Sequence, residues 1–454
     1  MTWLDGYDRV HLVGVGGSGM SGLAKLLAQS GHTVTGSDLK RGPAFQALEG
    51  IGIECWTGHR PERVVDRDLV VYSSAVPDER DAEVVAAREA GVPTWERPAL
   101  LAEMTRTRPA LGLSGTHGKT TSSAMTVAAL RALGRDPTFM VGGRLADLNT
   151  NAHVGEPSLF VLEADEAYST FLGLALEGMV VTNVEIDHLD HYETMERLTG
   201  AFEDVAGRVD GPVLACIDDP GSAALVESAG AIPYGTGDGA AWRIEDPEHV
   251  GHSVAFTLAR GSDSWRVTVP RPGMHVARNA TGVLAMLGER GFDVATAAQG
   301  LASFGGVRRR FDVRARTNGI TVVDDYAHHP TEIAATIAAG RLGGPDRVVA
   351  VFQAHHFDRT ARLADEFGEA LATADLAVVT DVYAPGEAPI PGVTGRLLAE
   401  KARDAGGEVV YVPRRIDLAA EVAGLARPGD LVLVMGAGDI YLVPDELATL
   451  LADA

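Results

Sequence analysis

Residues 110–121, Ala110-Leu-Gly-Leu-Ser-Gly115-Thr-His-Gly118-Lys119-Thr120-Thr121, hold the reading on which the rest of the chain turns. An apolar run, Ala110–Leu113, passes through two glycines into Thr121–Leu130, whose composition suits a helix. A strand, a glycine turn and a helix in that order aim backbone N–H groups and the positive end of the helix dipole at one point, which suits an anion. Gly115, Thr116, His117, Gly118, Lys119, Thr120 and Thr121 are therefore expected to cradle phosphate. Lys119 is placed to reach the terminal phosphates, and the Thr120 hydroxyl to ligate Mg²⁺. The interval between the glycines is two residues shorter than in the common phosphate-loop pattern, so this is a variant.

Working outward, two further apolar runs end in metal-ligand side chains. Leu159–Leu162 runs into Glu163-Ala164-Asp165-Glu166, and Met179–Thr182 runs into Asn183 and on to Asp187-His188-Leu189-Asp190. In a parallel sheet these ends share the edge that carries the phosphate loop. Thr120, Glu163 and His188 are the expected metal ligands, with His188 holding a second cation. Glu166 and Glu185, taken singly, are expected to be solvated acids. Upstream, Gly14-Val15-Gly16-Gly17-Ser18-Gly19-Met20 follows the run Val10–Val13, and Asp38 closes the next strand about twenty residues on. That pattern alone would suit a nicotinamide-dependent dehydrogenase, but it cradles any diphosphate. A chain with both turns calls for a reaction that uses two phosphorylated molecules.

Strands alternate with helices through most of the chain, which predicts α/β layers on parallel sheets. From Trp242 to Pro270 the pattern changes to polar–apolar alternation, as in Trp265-Arg-Val-Thr-Val269, and predicts a small antiparallel sheet. Three domains are expected: 1–107, 108–307 and 308–454. The net charge of −23 argues against nucleic acid or an anionic membrane as partner. The N-terminus lacks a basic stretch leading into an apolar run, and the two cysteines, Cys55 and Cys216, stand far apart. A reduced, cytoplasmic setting is expected. Of 39 basic residues only four are lysines, and one of them, Lys119, sits in the phosphate loop.

Together with Ser37-Asp38, Ser73-Ser74-Ala75, Val307–Phe311 (VRRRF), Asp324–Pro330 (DDYAHHP) and Met435–Asp439 (MGAGD), these motifs resemble the Mur ligase family, in its order, from near residue 10 to near residue 440. The likeness is to the alanine-adding branch, which has a histidine where other members carry a carbamylated lysine; His188 agrees. The resemblance implies an N-terminal Rossmann-like UDP-binding domain, a central P-loop ATPase-like α/β domain bearing the antiparallel sheet, and a C-terminal Rossmann-like domain. It implies ATP-dependent joining of L-alanine to the carboxylate of UDP-N-acetylmuramate through an acyl phosphate, with ATP and Mg²⁺, by a monomer or homodimer. By position, Gly16, Gly17, Ser18, Gly19, Met20, Asp38, His59, Ser73 and Ser74 would face the UDP-sugar. Lys119, Thr120, Glu163 and His188 would surround ATP and metal, His275 and Asn279 the adenine, with Arg310 and Asp325 near the nucleotide and Arg309 beside the hinge. Tyr326, His355 and Arg359 would take the amino acid, Arg359 pairing with its carboxylate.

Four positions depart from the family pattern: Tyr168, Ala354, Met274 and Val276. Simpler readings exist for two motifs, a solvated basic run for Arg308–Arg310 and a helix-start turn for His328-His329-Pro330. Three other functions fit part of the sequence. A ligase recycling cell-wall tripeptide would be expected to show phenylalanine at 326. A specialised paralogue would accept another acceptor or amino acid, and a dehydrogenase would leave Gly115–Thr121 unexplained.

Overall fold

The computed structural model describes residues 3–452 except 78, 186–191, 193 and the side chains of 168 and 169. The first sheet comprises β1 (Arg9–Val13), β2 (Thr33–Asp38), β3 (Glu54–Thr57), β4 (Leu69–Tyr72) and β5 (Thr94–Glu96). Its helices are α1 (Ser18–Gln29), α2 (Pro43–Glu49), α3 (Ala82–Glu89) and α4 (Arg97–Thr107). The order is β3-β2-β1-β4-β5, parallel throughout. The winding direction reverses between β1 and β4, which opens a crevice at their C-terminal ends, where the turn after Val13 lies. Local chemistry sets the helix starts: Pro43 opens α2, and the Asp81 carboxylate accepts from the backbone N–H of Glu83 and Val84.

The second sheet comprises β6 (Ala110–Ser114), β7 (Pro137–Leu145), β8 (Thr150–His153), β9 (Glu156–Glu163), β10 (Leu176–Val181), β11 (Val213–Cys216), β12 (Ile232–Gly235), β13 (Trp242–Val250), β14 (Ser253–Arg260) and β15 (Asp263–Val269). With it run α5 (Lys119–Ala132), α6 (Met195–Ala206), α7 (Pro220–Ser228), α8 (Met274–Glu289) and α9 (Val294–Ala302). The order is β15-β14-β13-β12-β11-β10-β6-β9-β7-β8. Thus β6 lies between β10 and β9, parallel to both, and the sheet's C-terminal edge collects their three loops. Two-residue turns join β13 to β14 and β14 to β15, connections that only antiparallel neighbours accept, as the alternating pattern predicts.

The third sheet has β16 (Asp312–Thr317), β17 (Ile320–Asp325), β18 (Arg347–His355), β19 (Leu376–Tyr383), β20 (Val409–Tyr411) and β21 (Asp430–Met435) in the order β16-β17-β21-β18-β19-β20. Only its edge strand β16 runs antiparallel. Its helices are α10 (Pro330–Arg341), α11 (Phe357–Arg362), α12 (Ala364–Ala372), α13 (Gly395–Asp404), α14 (Leu418–Leu425) and α15 (Val443–Ala452). Along β18, Val348, Ala350 and Phe352 join one apolar core and Val349 and Val351 the other. Both faces are covered, so the strand reads as an unbroken apolar run rather than an alternation.

Packing divides the chain into two compact units, Met1–Asp246 with Thr257–Val267 and Arg278–Phe304, and Pro247–Phe256 with Thr268–Ala277 and Gly305–Ala454. In the first unit one apolar core runs from Leu12 and Leu23 through Phe160 to Phe202, spanning the first two sheets. Among the described residues no helix is long and apolar enough to cross a membrane.

Candidate active site

The loop between β6 and α5 takes its shape from its glycines. Gly115 and Gly118 hold φ of +119° and +87°, which other residues adopt at a cost, and a Cβ on Gly118 would stand 2.9 Å from Asn279 Oδ1. The residues after β10 brace the loop. Thr182 Oγ1 donates to the carbonyl of His117 at 2.5 Å, Asn183 Oδ1 accepts from the His117 N–H at 2.8 Å, and Glu185 N donates to Thr116 Oγ1 at 2.9 Å.

Lys119 opens α5 and turns back over the loop. Its Nζ donates to the carbonyls of Gly115 (2.7 Å) and Thr116 (3.2 Å) and to both carboxylate oxygens of Glu166 (2.9 Å each), with Asp165 at 3.5 Å. Burial works against its charge, but Glu166 and Asp165 outweigh burial and hold the ammonium protonated above the usual lysine value. Glu166 is thus not the solvated acid the sequence suggests. It is 1% exposed and is the lysine's ion-pair partner.

Glu163, at the end of β9, accepts from the backbone N–H of Gly142 at 2.5 Å and from the Thr120 hydroxyl. Burial raises its pKa, opposed by those two hydrogen bonds. A Cβ on Gly142 would come within 2.9 Å of the Glu163 carboxylate and 3.1 Å of Thr120 Oγ1, so both oxygens converge where only glycine leaves room. A hydroxyl and a carboxylate meeting beside a phosphate loop form a hard-oxygen donor pair that fits Mg²⁺. His188, the third expected ligand, lies outside the described residues, as does the side chain of Tyr168. His117 Nε2 stands 3.7 Å from Glu185.

The first sheet's glycine turn is built alike. Gly14 has φ +80°, and the Gly16 N–H donates to Asp38 Oδ2 at 2.8 Å, so the acid ending β2 ties down the turn. Ser73 packs against Gly14 at the end of β4, and Ser74 Oγ is buried without a hydrogen-bond partner among the described residues. His59 Nδ1 stands 3.4 Å from Asp81. Ser18 and Gly17 are exposed, and Met20 is buried in the core. Beneath this turn, buried Glu83 accepts from Trp56 Nε1 (2.7 Å), from the N–H of Arg60 (2.8 Å) and from the Ser37 hydroxyl. Burial opposes its ionisation, yet hydrogen bonds from His11, Ser37 and Arg60 hold it at about 2. One cation here escaped the sequence reading. Arg97, at the start of α4, brings its guanidinium to within 2.6 Å of where a Cβ on Gly19 would lie; its Nη2 stands 3.4 Å from Thr170 Oγ1, and its buried Nε has no hydrogen-bond partner among the described residues. Glu96-Arg97-Pro98 ends a strand whose signal is weak, and that position at the sheet's C-terminal edge was the only clue.

In the second unit, Asp325 ends β17 and accepts from the N–H of Phe311 (2.7 Å) and Ala327 (2.8 Å). Burial raises its pKa, and Arg310 opposes. Tyr326 lies between two guanidiniums, Arg309 at 4.8 Å and Arg310 at 5.0 Å from its ring centre. Arg309 also donates to the carbonyl of Gly436 at 2.5 Å, so Arg309 is anchored, whereas Arg308 is exposed as the solvated-run reading holds. His329 caps α10 with Pro330 in its first turn, as the helix-start reading holds. His355 stacks on Tyr383 with ring centres 5.9 Å apart and meets His356 edge-on at 3.9 Å. Burial, then the charges of His356, His328 and Arg359, lower the His355 pKa to about 3. Tyr326 meets the His328 ring at 5.2 Å, and His328 and Arg359 both lie close enough to act on His355, so the expected amino-acid residues are linked through His328 past the C-terminal ends of β17 and β18. His275 lies in the first turn of α8, one turn before Asn279, which faces the phosphate loop.

Comparison with known proteins agrees along the whole chain. Residues 9–109 match the description "Mur ligase family, catalytic domain", 113–287 "Mur ligase middle domain" and 309–438 "Mur ligase, glutamate ligase domain". The UDP-N-acetylmuramate–L-alanine ligase of Acidothermus cellulolyticus is 43% identical over 453 residues, covering 97% of this chain and 94% of its own. The Salinibacter ruber enzyme of the same name is 42% identical, covering 98% and 95%. The crystal structure of a UDP-N-acetylmuramate-alanine ligase from Thermotoga maritima superposes with TM-score 0.85 at 27% identity, covering 97% of this chain and 98% of its own. A murein peptide ligase from Psychrobacter arcticus shares the fold, with TM-score 0.72 at 23% identity over 98% and 99% of the two chains. With three sheets in the family's order and family matches from residue 9 to residue 438, this chain belongs to the Mur ligase family.

Proposed function

We propose that the chain joins L-alanine to the lactyl carboxylate of UDP-N-acetylmuramate at the expense of ATP, a cytoplasmic step in building the peptidoglycan precursor. The observation that carries this reading is the convergence of Lys119, Thr120 and Glu163 on the Gly115–Gly118 loop, in a chain similar over almost its full length to alanine-adding ligases. The division of labour follows the expected domains. Residues 1–107 hold the UDP-sugar on the Gly16–Gly19 turn with Asp38, His59, Ser73, Ser74 and Arg97. Residues 108–307 hold ATP, and residues 308–454 the amino acid.

The chemistry is a phosphoryl transfer followed by an acyl transfer. The substrate carboxylate attacks the γ-phosphorus, the β–γ bridge breaks, and ADP leaves. Two anions must approach each other, so positioning and positive charge dominate over covalent help. Lys119 and the loop N–H groups hold the phosphates, and Thr120 and Glu163 would hold Mg²⁺, which supplies charge screening when bound. In the second step the alanine amine attacks the acyl carbonyl and phosphate departs. Arg359 pairs with the alanine carboxylate. His355, neutral because its pKa lies near 3, accepts a hydrogen bond from the amine but is too weak a base to keep the proton, which passes to the departing phosphate as the amide forms.

Phosphate release from ATP with Mg²⁺ and UDP-N-acetylmuramate, assayed with alanine, glycine, serine or no amino acid, tests the reading. Release that needs both the sugar and alanine is expected, and release without the sugar, or no release at all, would refute it. Arg359→Ala should raise the alanine KM at least tenfold with little change for ATP; equal effects on both would remove Arg359 from its role.

A further inference from the structure

The short helix α11 carries Arg359, and its entry is unusual. His356, the residue before it, holds φ +72°, a left-handed conformation that residues with a Cβ rarely adopt. Something must hold the chain there. The His356 N–H donates to the carbonyl of Tyr383 at 3.2 Å, which ties the turn to the end of β19. The chain that leaves β19 then turns at Gly386, φ +84°, and brings Glu387 back over the same spot. Both carboxylate oxygens of Glu387 are used. One pairs with His356 Nδ1, and the other accepts from the N–H of Phe357, the first residue of α11, at 2.9 Å. Thr360 closes the turn from within, its hydroxyl donating to the carbonyl of His356 at 2.6 Å.

The side chains of His356 and Glu387 are 41% and 35% exposed, so water screens the pair and it adds little to global stability. Its geometry has a more specific consequence. A carboxylate at the first N–H of α11 and on the residue before it fixes where the helix begins, and hence where Arg359, two residues further on, directs its guanidinium. We propose that Glu387 is a positioning residue for the amino-acid site: it holds the His356 turn in its left-handed form so that Arg359 meets the substrate carboxylate. The proposal rests on the reading of Arg359 as the amino-acid clamp.

The test compares full-length wild type, Arg359→Ala, Glu387→Ala, Glu387→Gln and the double variant Glu387→Ala/His356→Gly in the alanine-dependent phosphate-release assay, with thermal melts alongside. Glu387→Ala is expected to raise the alanine KM about tenfold, equivalent to about 1.4 kcal/mol, while the KM values for ATP and the UDP-sugar stay within about twofold and the Tm is unchanged. Glu387→Gln, which keeps an acceptor for Phe357, should fall between wild type and Glu387→Ala. Glycine adopts positive φ freely, so the double variant should recover part of the loss. An alanine KM within twofold of wild type in Glu387→Ala, or equal increases for all three substrates, overturns the proposal. Should Glu387→Ala fail to fold, Glu387→Gln decides by the same criteria. Absence of alanine-dependent release in the wild type would instead sink the ligase reading, and this inference with it. A response in Arg359→Ala without one in Glu387→Ala sinks this inference alone.

Discussion

Lys119 shows how far single residues could be read from the sequence. Its spacing from Gly115 and Gly118 announced a phosphate loop, because that chemistry depends on local backbone geometry. Its partnership with Glu166 was not announced, because burial is a tertiary property and Glu163-Ala-Asp-Glu166 reads as acidic wherever it lies. The same holds for Arg97, which only the fold brings to Gly19. Lys119→Met should abolish phosphate release and leave UDP-sugar binding intact by calorimetry; it should also cost about 3–5 kcal/mol in urea unfolding, since Glu166 then keeps a buried charge without a cation. Unchanged stability would mean that Glu166 is protonated or hydrated. Glu83 makes a pH prediction. Its folded value of about 2 lies below the ordinary glutamate value of about 4.3. The carboxylate therefore stabilises the fold above pH of about 4.3 and loses that contribution as pH falls toward 2, to the extent of roughly 3 kcal/mol. Against Glu83→Gln, the wild-type stability advantage should shrink between pH 6 and pH 3. A constant gap over that range would remove Glu83 as the source. His11, whose pKa burial lowers against the pull of Glu83, adds acid sensitivity of its own below its usual range, and more of it in Glu83→Gln.

At the scale of elements, most strands buried on both faces were legible, β7 being an exception, and the short polar edge strands were not. The core strands β1, β4, β6, β10, β18 and β21 are apolar runs whose periodicity is set by burial alone. By contrast, β3 (Glu54-Cys-Trp-Thr57) and β5 (Thr94-Trp-Glu96) are short and half polar, and β16 (Asp312-Val-Arg-Ala-Arg-Thr317) is an edge strand rich in charge. Their pairing partners, not their composition, make them strands. One contact between elements was equally invisible. Lys25, buried on α1, donates to Asn151 Oδ1 on β8 at 2.7 Å, and Asn151 Nδ2 donates to the carbonyl of Ser18 at 3.0 Å. Burial lowers the Lys25 pKa, so the ammonium is there at a cost. The link ties the start of α1, with its glycine turn, to the edge of the second sheet. Lys25→Met leaves the Asn151 oxygen without its donor and should cost about 1 kcal/mol of stability. It should also weaken UDP-sugar binding several-fold by loosening Ser18; isothermal calorimetry that finds affinity unchanged would reduce the contact to packing.

Across the whole molecule, the charge of −23 sets a long-range field that opposes anionic substrates. Screening lengths fall to about 10 Å at 0.1 M salt. Raising monovalent salt from 20 to 200 mM should therefore speed association of the UDP-sugar modestly, which stopped-flow fluorescence can follow. A steep fall instead would show that the local positive sites dominate the approach. The three-sheet α/β plan was legible because each sheet repeats strand and helix at a steady interval. The division into two compact units was not, since it depends on how much surface each sheet shares with its neighbour. The Lys119–Glu166 ion pair matters beyond its own geometry. On the proposed reading, a triphosphate arriving at the loop would meet a cation already paired and would have to displace Glu166 from it. Displacing Glu166 would cost part of the attraction between Lys119 and the nucleotide, so the same pair that steadies the empty loop would temper how tightly it holds phosphate.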